Sequence, residues 1–227
     1  MRHLVPLLLW LPLSGWAGDT IKVAVAANFK HTLETVSADF ESRYGHKLLL
    51  SSASTGVLYS QILHGAPFDI FFAADAETPA KLASASRTPQ CYARGSLVLV
   101  GGSDDLQQLA DQARSLAIAN PNTAPYGRAA LEVLARTEFA AASGRKLVRG
   151  SNVVQAFQFW YSGGVDLALV PRSLAPAAAP IPLAWYRPLE QHVIVLHDSE
   201  AVTAYLNWVR SDSVRSLINN AGYEPCP

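Results

Sequence analysis

Residues 21–74 read IKVAVAANFKHTLETVSADFESRYGHKLLLSSASTGVLYSQILHGAPFDIFFAA, and in them three apolar runs are separated by two segments of helical periodicity. The runs at 21–27, 47–52 and 69–74 have the length and apolar continuity of buried parallel strands. In the segments between them, apolar residues cluster on one side of a helix. This β-α-β-α-β order predicts a doubly wound α/β unit.

The remaining sequence continues the α/β pattern and predicts a second lobe. Further strands are predicted at residues 96–100, 116–119, 167–170 and 193–196. Further helices are predicted at roughly 127–142, 152–161, 201–210 and 213–220, and a Pro- and Ala-rich loop at 171–188. We expect two α/β lobes joined by a hinge, lobe I from residues 18–98 plus 195–227 and lobe II from 99–194. A ligand site is expected between them, at the carboxyl ends of the strands.

The first 17 residues differ from the sequence that follows. A short basic start precedes an apolar run at 4–13 that is far too short to span a bilayer. Gly15 and Ala17 then place small residues where a signal peptidase reads them. The pattern predicts a signal peptide at 1–17 and export to the periplasm. No later stretch approaches 18 consecutive apolar residues, so we expect a mature protein that is not embedded in the membrane.

The composition limits the class of function. Half of the 227 residues are hydrophobic and 16% are charged, which is typical of a folded globular protein. The 18 basic residues balance the 18 acidic ones, and no basic run or basic-aromatic patch occurs, so nucleic acid is not an expected partner. An anionic ligand would have to be attracted by local dipoles, because the bulk charge does not attract it. We also expect a monomer.

The chain has two cysteines, Cys91 and Cys226, which are 135 positions apart. This spacing excludes a CxxC redox or zinc motif. In an oxidising compartment, one disulfide between them is the natural expectation. Closing so long a loop would stabilise the fold by about 4–5 kcal/mol in the chain-entropy model. The alternative is two independent thiols.

Two strand-to-helix junctions carry the strongest functional signal, Asn28 after the first strand and Ser54-Thr55 after the second. Unpaired backbone N–H groups and the helix dipole are available at such helix starts. The amide and hydroxyl side chains add donors, and none of the three residues carries a charge. The alternative is that they are only helix caps, which is the usual role of Ser or Asn at this position, and Asn28 is a candidate N-cap.

Neutral donors suit an anion that carries no proton. Molybdate, tungstate and sulfate are fully ionised near neutral pH and only accept hydrogen bonds, whereas a carboxylate in the site would repel them. Phosphate keeps a proton and usually needs an acceptor such as Asp. Roughly four charge-assisted bonds of about 1.5–3 kcal/mol each would supply the roughly 8 kcal/mol that micromolar affinity requires. The residues therefore indicate binding of a small oxyanion.

The same region carries a family resemblance. Residues 51–75 read SSASTGVLYSQILHGAPFDIFFAAD; their GAPFD and FAAD segments, VAVAANF at the first junction and AGYEP near the end resemble the periplasmic molybdate-binding proteins of ABC transporters, the ModA family. The likeness covers essentially the whole mature chain. It implies a type II periplasmic-binding-protein fold with two hinged lobes. It also implies a dehydrated molybdate or tungstate ion as ligand, no cofactor, and an ABC transporter permease as partner.

The resemblance further implies a ligand set. Asn28 falls where the family uses the side chain and amide of a Ser or Asn, and Thr55, with Ser54 beside it, falls at the usual hydroxyl ligand. In lobe II, the backbone amides of Tyr126 and Val153 match the remaining donors. No metal cation is implied, because the metal is part of the oxyanion.

One position departs from the family pattern. Some members donate a Tyr hydroxyl from the strand end that matches Pro171, and Pro171 has no group to donate. The resemblance suggests Asn28 as the compensating donor. Because of this departure, sulfate or another small solute stays open as the alternative ligand.

Other functions lack the residues that they need. Asp69 and Asp75 lie near the strand ends but are expected to be structural, Asp69 in a turn and Asp75 as the cap of the next helix. No pair of histidines after residue 17 has the i, i+4 spacing of a helical metal site, and no GxSxG or phosphate-loop motif occurs. We therefore expect a binding protein and not an enzyme. The rival classes are an exported enzyme on the same fold and a sensory or adaptor protein.

Overall fold

A computed structural model of the chain describes residues 18–227, and the predicted signal peptide at 1–17 lies outside the described residues. The described part begins with the predicted alternation of strands and helices. Its elements there are β1 (Thr20–Ala26), α1 (Lys30–Tyr44), β2 (Lys47–Ala53), α2 (Thr55–Leu63) and β3 (Ile70–Phe72). Gly45 follows α1 and adopts the left-handed conformation with a φ of 75°, which ends the helix.

The rest of the chain adds the second lobe and the return to the first. Its elements are α3 (Glu77–Ala80), β4 (Gln90–Gly95), β5 (Leu97–Val100), β6 (Leu116–Ala119), α4 (Pro125–Leu134), β7 (Leu147–Gly150), α5 (Val153–Tyr161), β8 (Leu167–Pro171), β9 (Ala179–Pro180), β10 (Leu189–Val195), α6 (Glu200–Val209) and α7 (Asp212–Asn220). The helix predicted at 127–142 is wrong in extent, because α4 ends at Leu134 and a separate 3-10 helix covers Thr137–Ala142.

Two five-stranded sheets organise the described residues. The first has the order β2-β1-β3-β10-β4 and the second β7-β6-β8-β5-β9. In the first, β1 is parallel to β2 and β3, and β10 runs antiparallel between β3 and β4. In the second, β6 is parallel to β7 and β8, and β5 is antiparallel to β8 and β9. We call the first sheet with its helices lobe I and the second sheet with its helices lobe II; the predicted α/β fold of two lobes is confirmed.

The chain crosses between the sheets twice, at Ser96 between β4 and β5 and again between β9 and β10. Sheet membership differs from the predicted lobe ranges at both crossings. Leu97 and Val98 pair in the second sheet, and residues 189–194 pair in the first. The polar side chains of Glu190 and His192 interrupt the apolar pattern of β10, so the sequence indicated only the last part of this strand.

Helices cover both faces of each sheet. In lobe I, residues of α1, α6 and α7 pack on one face, and Leu58 of α2 packs on the other. In lobe II, α4 packs on one face and α5 on the other. β6, β8 and the part of β1 from Val23 to Ala26 are therefore buried on both sides, which explains their continuous apolar sequences.

The C-terminal tail is fastened to the edge strand β4 of lobe I. Cys91 on β4 and Cys226 in the tail form a disulfide. Next to it, the backbones of Arg94 and Glu224 exchange two hydrogen bonds of 2.8 Å, and their side chains form an ion pair. None of the helices within residues 18–227 has the length and apolar content that crossing a membrane requires.

Candidate functional site

A narrow cavity of about 10 Å³ lies between the lobes, where β1 and β2 of lobe I face the helix starts of lobe II. All five predicted ligand residues line it: Asn28, Ser54, Thr55, Tyr126 and Val153. The other lining residues are small or uncharged, namely Ala26, Ala27, Ala74, Ala124, Pro125 and Asn152. The cavity is far smaller than the pockets of about 300–1,000 Å³ that usually hold organic ligands, so it suits a compact ion better than a metabolite.

The second junction presents two hydroxyl groups to the cavity. Ser54 is 4% exposed, and among the described residues its Oγ has no hydrogen-bond partner. Ser54 occupies the N-cap position of α2, but its side chain makes no cap bond and is free to donate to a ligand. The Oγ1 of Thr55 accepts a 3.0 Å bond from the N–H of Ala74, which leaves its own hydrogen for another acceptor.

The first junction differs from its prediction in two respects. Phe29, not Asn28, is the N-cap of α1, and no side chain makes a cap bond there. The side-chain Nδ2 of Asn28 donates to Oε1 of Gln191 at 2.8 Å and to the Tyr223 hydroxyl at 3.3 Å. Within residues 18–227, the backbone N–H of Asn28 meets no acceptor. The side-chain amide of Asn28 is therefore already engaged, and its backbone N–H is the donor that remains available to a ligand.

The start of α4 brings the Tyr126 amide to the cavity. Pro125 occupies the first helical position, where it has no N–H to leave unpaired. The N–H groups of Gly127 and Arg128 both bond to the carbonyl of Ala124, at 3.0 and 3.2 Å. The N–H of Tyr126 lies between these bonded groups and the proline, and it has no acceptor in the described part of the chain.

The start of α5 contributes the fourth segment. The Asn152 side chain caps this helix by accepting from the N–H groups of Val154 at 2.9 Å and Gln155 at 3.1 Å. The Asn152 side chain does not reach the N–H of Val153, which has no acceptor among residues 18–227. The two helix starts of lobe II therefore offer backbone donors, with the favourable end of each helix dipole, to the same cavity.

A buried polar cluster supports the site from behind, and sequence reasoning missed it. Gln191 of β10 is fully buried, and its Oε1 accepts from Asn28 and, at 2.9 Å, from the Tyr92 hydroxyl. Its Nε2 donates to the Tyr126 hydroxyl at 3.0 Å, and the Tyr223 hydroxyl donates to the Asn28 carbonyl at 2.7 Å. The one signal in the sequence was a polar residue within the apolar pattern of a strand.

The tyrosines of this cluster stay neutral. Burial raises the pKa of Tyr92 and of Tyr126 well above the usual value of a phenol. Burial also raises the pKa of Tyr223 to about 12, although hydrogen bonds to its hydroxyl oppose the shift. The cluster therefore adds no negative charge beside the cavity at neutral pH.

Further contacts join the lobes around the cavity. Asp75, which bonds the Thr78 N–H and hydroxyl as its predicted capping role requires, also forms a 2.7 Å ion pair with Arg128 of α4. The N–H of Gly56 donates to the carbonyl of Thr123 at 2.8 Å. The Ser173 hydroxyl donates to the Asn28 carbonyl at 3.3 Å. The structure is therefore in a closed arrangement.

The remaining residues considered in the sequence lie outside the cavity lining. Pro171 ends β8 and is buried, and it does not line the cavity. The Asp69 carboxylate accepts a 2.7 Å bond from the Lys22 N–H, which is a structural contact. In residues 18–227, no group of three or more His, Cys, Asp or Glu side chains is arranged to hold a metal ion.

Two α/β lobes that direct neutral donors into one shared cavity define the class of two-lobed solute-binding proteins. Comparison with known proteins agrees with this class. Residues 21–224 match the family described as bacterial extracellular solute-binding protein. The chain belongs to this family and, within it, to the ModA proteins, as its similarity to two curated members shows.

The first of these relatives is the molybdate-binding protein ModA of Azotobacter vinelandii, 36% identical over 224 residues that cover 89% of each chain. The second is the molybdate-binding protein ModA of Rhodobacter capsulatus, 31% identical over 96% of this chain and 92% of the relative. The solved structure of the Azotobacter vinelandii periplasmic molybdate-binding protein superposes with a TM-score of 0.81. That superposition has 33% identity and covers 91% of this chain and all of the other.

Proposed function

We propose that this protein captures molybdate or tungstate in the periplasm and delivers the ion to the permease of an ABC importer. One observation carries the proposal: four chain segments from two lobes bring only neutral hydrogen-bond donors to one small cavity between the lobes. The names of the relatives at 36% and 31% identity support molybdate as the ion.

The proposed ligand set consists of backbone amides and hydroxyls. Asn28, Tyr126 and Val153 each offer an N–H, and Ser54 and Thr55 each offer an O–H. Charge-assisted bonds contribute about 1.5–3 kcal/mol each, so five of them contribute about 7.5–15 kcal/mol before the entropic cost of binding is subtracted, and micromolar affinity requires roughly 8 kcal/mol. A bare dianion needs no acceptor from the protein, and no carboxylate lines the cavity.

The proposed transport cycle depends on lobe movement. Lobe I is proposed to comprise residues 18–95 and 189–227, and lobe II residues 97–188, with the two crossings as hinge. The ion enters an open form, and closure brings Tyr126 and Val153 to the donors of lobe I. The proposed signal peptide at 1–17 exports the chain, and the exported protein is a monomer that acts by binding and not by catalysis.

Isothermal titration calorimetry with molybdate, tungstate, sulfate and phosphate tests the ligand directly. We expect micromolar or tighter binding of molybdate and tungstate, and much weaker binding of sulfate and phosphate. Thermal shifts should follow the same order, because a ligand that binds only the folded state stabilises it by mass action. Equal affinity for sulfate would favour the alternative ligand, sulfate, over molybdate and tungstate. If none of the oxyanions binds, the proposed function is refuted.

A pair of variants tests the site independently of the ion. Thr55→Val removes the hydroxyl with little change in shape, and we expect molybdate binding to weaken by roughly tenfold or more, the loss of one charge-assisted bond. His64→Ala, at the exposed far end of α2, should bind as the unaltered protein does. Equal weakening in both variants would contradict the site assignment.

A further inference from the structure

We infer that Gln191 is a positioning residue that couples the donors of lobe I to those of lobe II through one carboxamide. This inference rests on the proposed function, because it concerns the same oxyanion site. Gln191 does not line the cavity itself; it holds two residues that do, Asn28 on one side and Tyr126 on the other.

The carboxamide oxygen fixes the lobe I side. Oε1 accepts the 2.8 Å bond from Asn28 and the 2.9 Å bond from the Tyr92 hydroxyl. Because the Asn28 amide nitrogen can only donate, the oxygen of Gln191 must face it. The backbone N–H of Asn28, the proposed ligand donor, therefore belongs to a residue whose side chain is held in one orientation.

The carboxamide nitrogen fixes the lobe II side. Nε2 donates to the Tyr126 hydroxyl at 3.0 Å, while the same residue directs its backbone N–H to the cavity. Gly95 on β4 makes room for this contact, since a Cβ there would lie 1.9 Å from the Tyr126 oxygen and 2.6 Å from Nε2. The tyrosine can therefore reach Gln191 only because residue 95 has no side chain.

The position of Gln191 in the chain makes this contact sensitive to lobe closure. It lies in β10, two residues after the strand begins and close to the second crossing between the lobes. Tyr126 belongs to α4 of lobe II, so opening of the cleft would separate it from Gln191. Binding of the ion to the Tyr126 amide and formation of the hydroxyl contact therefore favour the same closed form.

Only a neutral amide satisfies all these partners. A methionine of similar length would leave the Asn28 and Tyr92 donors without their acceptor. A glutamate would place a buried negative charge behind a site for a dianion. The titratable groups that contact Gln191 are the hydroxyls of Tyr92 and Tyr126, with Tyr223 beside them; burial raises the pKa of all three further above neutral pH, so they remain protonated there.

Calorimetric titration with molybdate from pH 5.5 to 8 tests the inference on Gln191→Met, Gln191→Glu and a control, Gln61→Glu, which makes the same charge change on the exposed side of α2. We expect Gln191→Met to bind roughly tenfold more weakly at every pH. Gln191→Glu should bind at least as weakly at pH 8 and recover as the pH falls, because a protonated carboxyl is neutral and can again donate. The unaltered protein and the control should show no such recovery.

Tyr126→Phe provides a second route if a Gln191 variant does not fold. It keeps the backbone N–H and removes only the hydroxyl that Gln191 contacts, so we expect weaker molybdate binding with little loss of thermal stability without ligand. A purely structural role would lower that stability and leave the affinity and its pH profile unchanged, which would overturn the inference. If the unaltered protein itself binds no oxyanion, the proposed function fails and the inference fails with it.

Discussion

The Ser54 hydroxyl is buried and has no partner in residues 18–227, although such a group costs about 1–3 kcal/mol when it is left unsatisfied. Its neighbour Thr55 is equally buried but satisfies its oxygen with the Ala74 amide. A cost of this size is retained where the group has a partner in another state of the molecule. Bound oxyanion would be that partner, since it accepts what Ser54 can donate.

Ser54→Ala should therefore change binding and stability in opposite directions. We expect molybdate affinity to fall by roughly tenfold, the value of one charge-assisted bond. Without ligand, the free energy of unfolding should stay the same or rise, because an unsatisfied buried hydroxyl is removed. Calorimetry and urea denaturation measure the two quantities.

Ser60→Ala is the matched control, since Ser60 is an exposed serine on the same helix. It should leave both the affinity and the free energy of unfolding unchanged. A Ser54→Ala protein that binds molybdate normally would show that this hydroxyl is not a ligand.

At the scale of the element, the site depends on how closely α4 approaches the end of β6. A Cβ at Gly127 would lie 2.3 Å from the carbonyl oxygen of Ala119, a backbone atom that cannot rotate away. The missing side chain therefore sets the position of the first turn of α4, and with it the position of the Tyr126 amide.

Gly127→Ala should displace α4 and weaken molybdate binding by more than tenfold. The Tyr126 amide would move with the helix, and the strength of a hydrogen bond falls steeply when its distance and angle depart from the ideal. The rest of lobe II should stay folded, as circular dichroism would report. Gly144→Ala is the control, since its Cβ would meet only the flexible Gln112 side chain. Normal binding by Gly127→Ala would mean that α4 does not hold a ligand donor.

The sequence predicted elements well where their apolar pattern was continuous. β6 and β8, buried on both faces, were predicted nearly to the residue. The pattern failed where strands have exposed or polar positions. β4 and β7 were missed for this reason, and the first half of β10 was hidden by Glu190 and His192.

The cavity lining followed from local rules, and the support behind it did not. Helix starts after strands are visible in the sequence, and they led to Asn28, Ser54 and Thr55. The partner of the Asn28 side chain is Gln191, which is 163 positions away. No local pattern encodes such a contact, because it arises only when β10 returns to lobe I, and the sequence alone therefore did not reveal that the side-chain amide of Asn28 is already hydrogen-bonded.

At the scale of the whole molecule, the ion pair of Asp75 and Arg128 joins lobe I to lobe II beside the cavity. Asp75 is nearly buried, whereas 35% of the Arg128 side chain is exposed, so solvent screens the pair in part. The pair forms only when the lobes are close together. It should therefore add stability to the closed form and none to the open one.

Arg128→Gln should weaken molybdate binding by about three- to fivefold, corresponding to about 1 kcal/mol for a partly screened pair. Small-angle scattering should show a more open ligand-free protein, with a normal radius of gyration at saturating molybdate. Arg215→Gln removes an exposed pair within α7 and should change neither measurement. An Arg128→Gln protein with unaltered affinity would show that the ion pair does not favour closure.

The disulfide acts on the molecule as a whole through its unfolded state. Cys91 and Cys226 close a loop with a separation of 135 residues, and such a crosslink lowers the entropy of the unfolded chain. Reduction should decrease the free energy of unfolding by about 4 kcal/mol, as measured by urea denaturation with and without reductant. A Cys91→Ala, Cys226→Ala double variant should show the lower stability in both conditions. If the free energy of unfolding of the unaltered protein were the same with and without reductant, this account would be contradicted.

The cavity lining contains no side chain that gains or loses a proton near neutral pH. Binding of the ion therefore neither releases nor takes up protons, and the calorimetric heat of binding should be identical in buffers of different ionisation enthalpy. The cargo also keeps its entire double negative charge while it is carried. The receiving transporter therefore has to supply the compensating positive charge when it takes the ion from the binding protein.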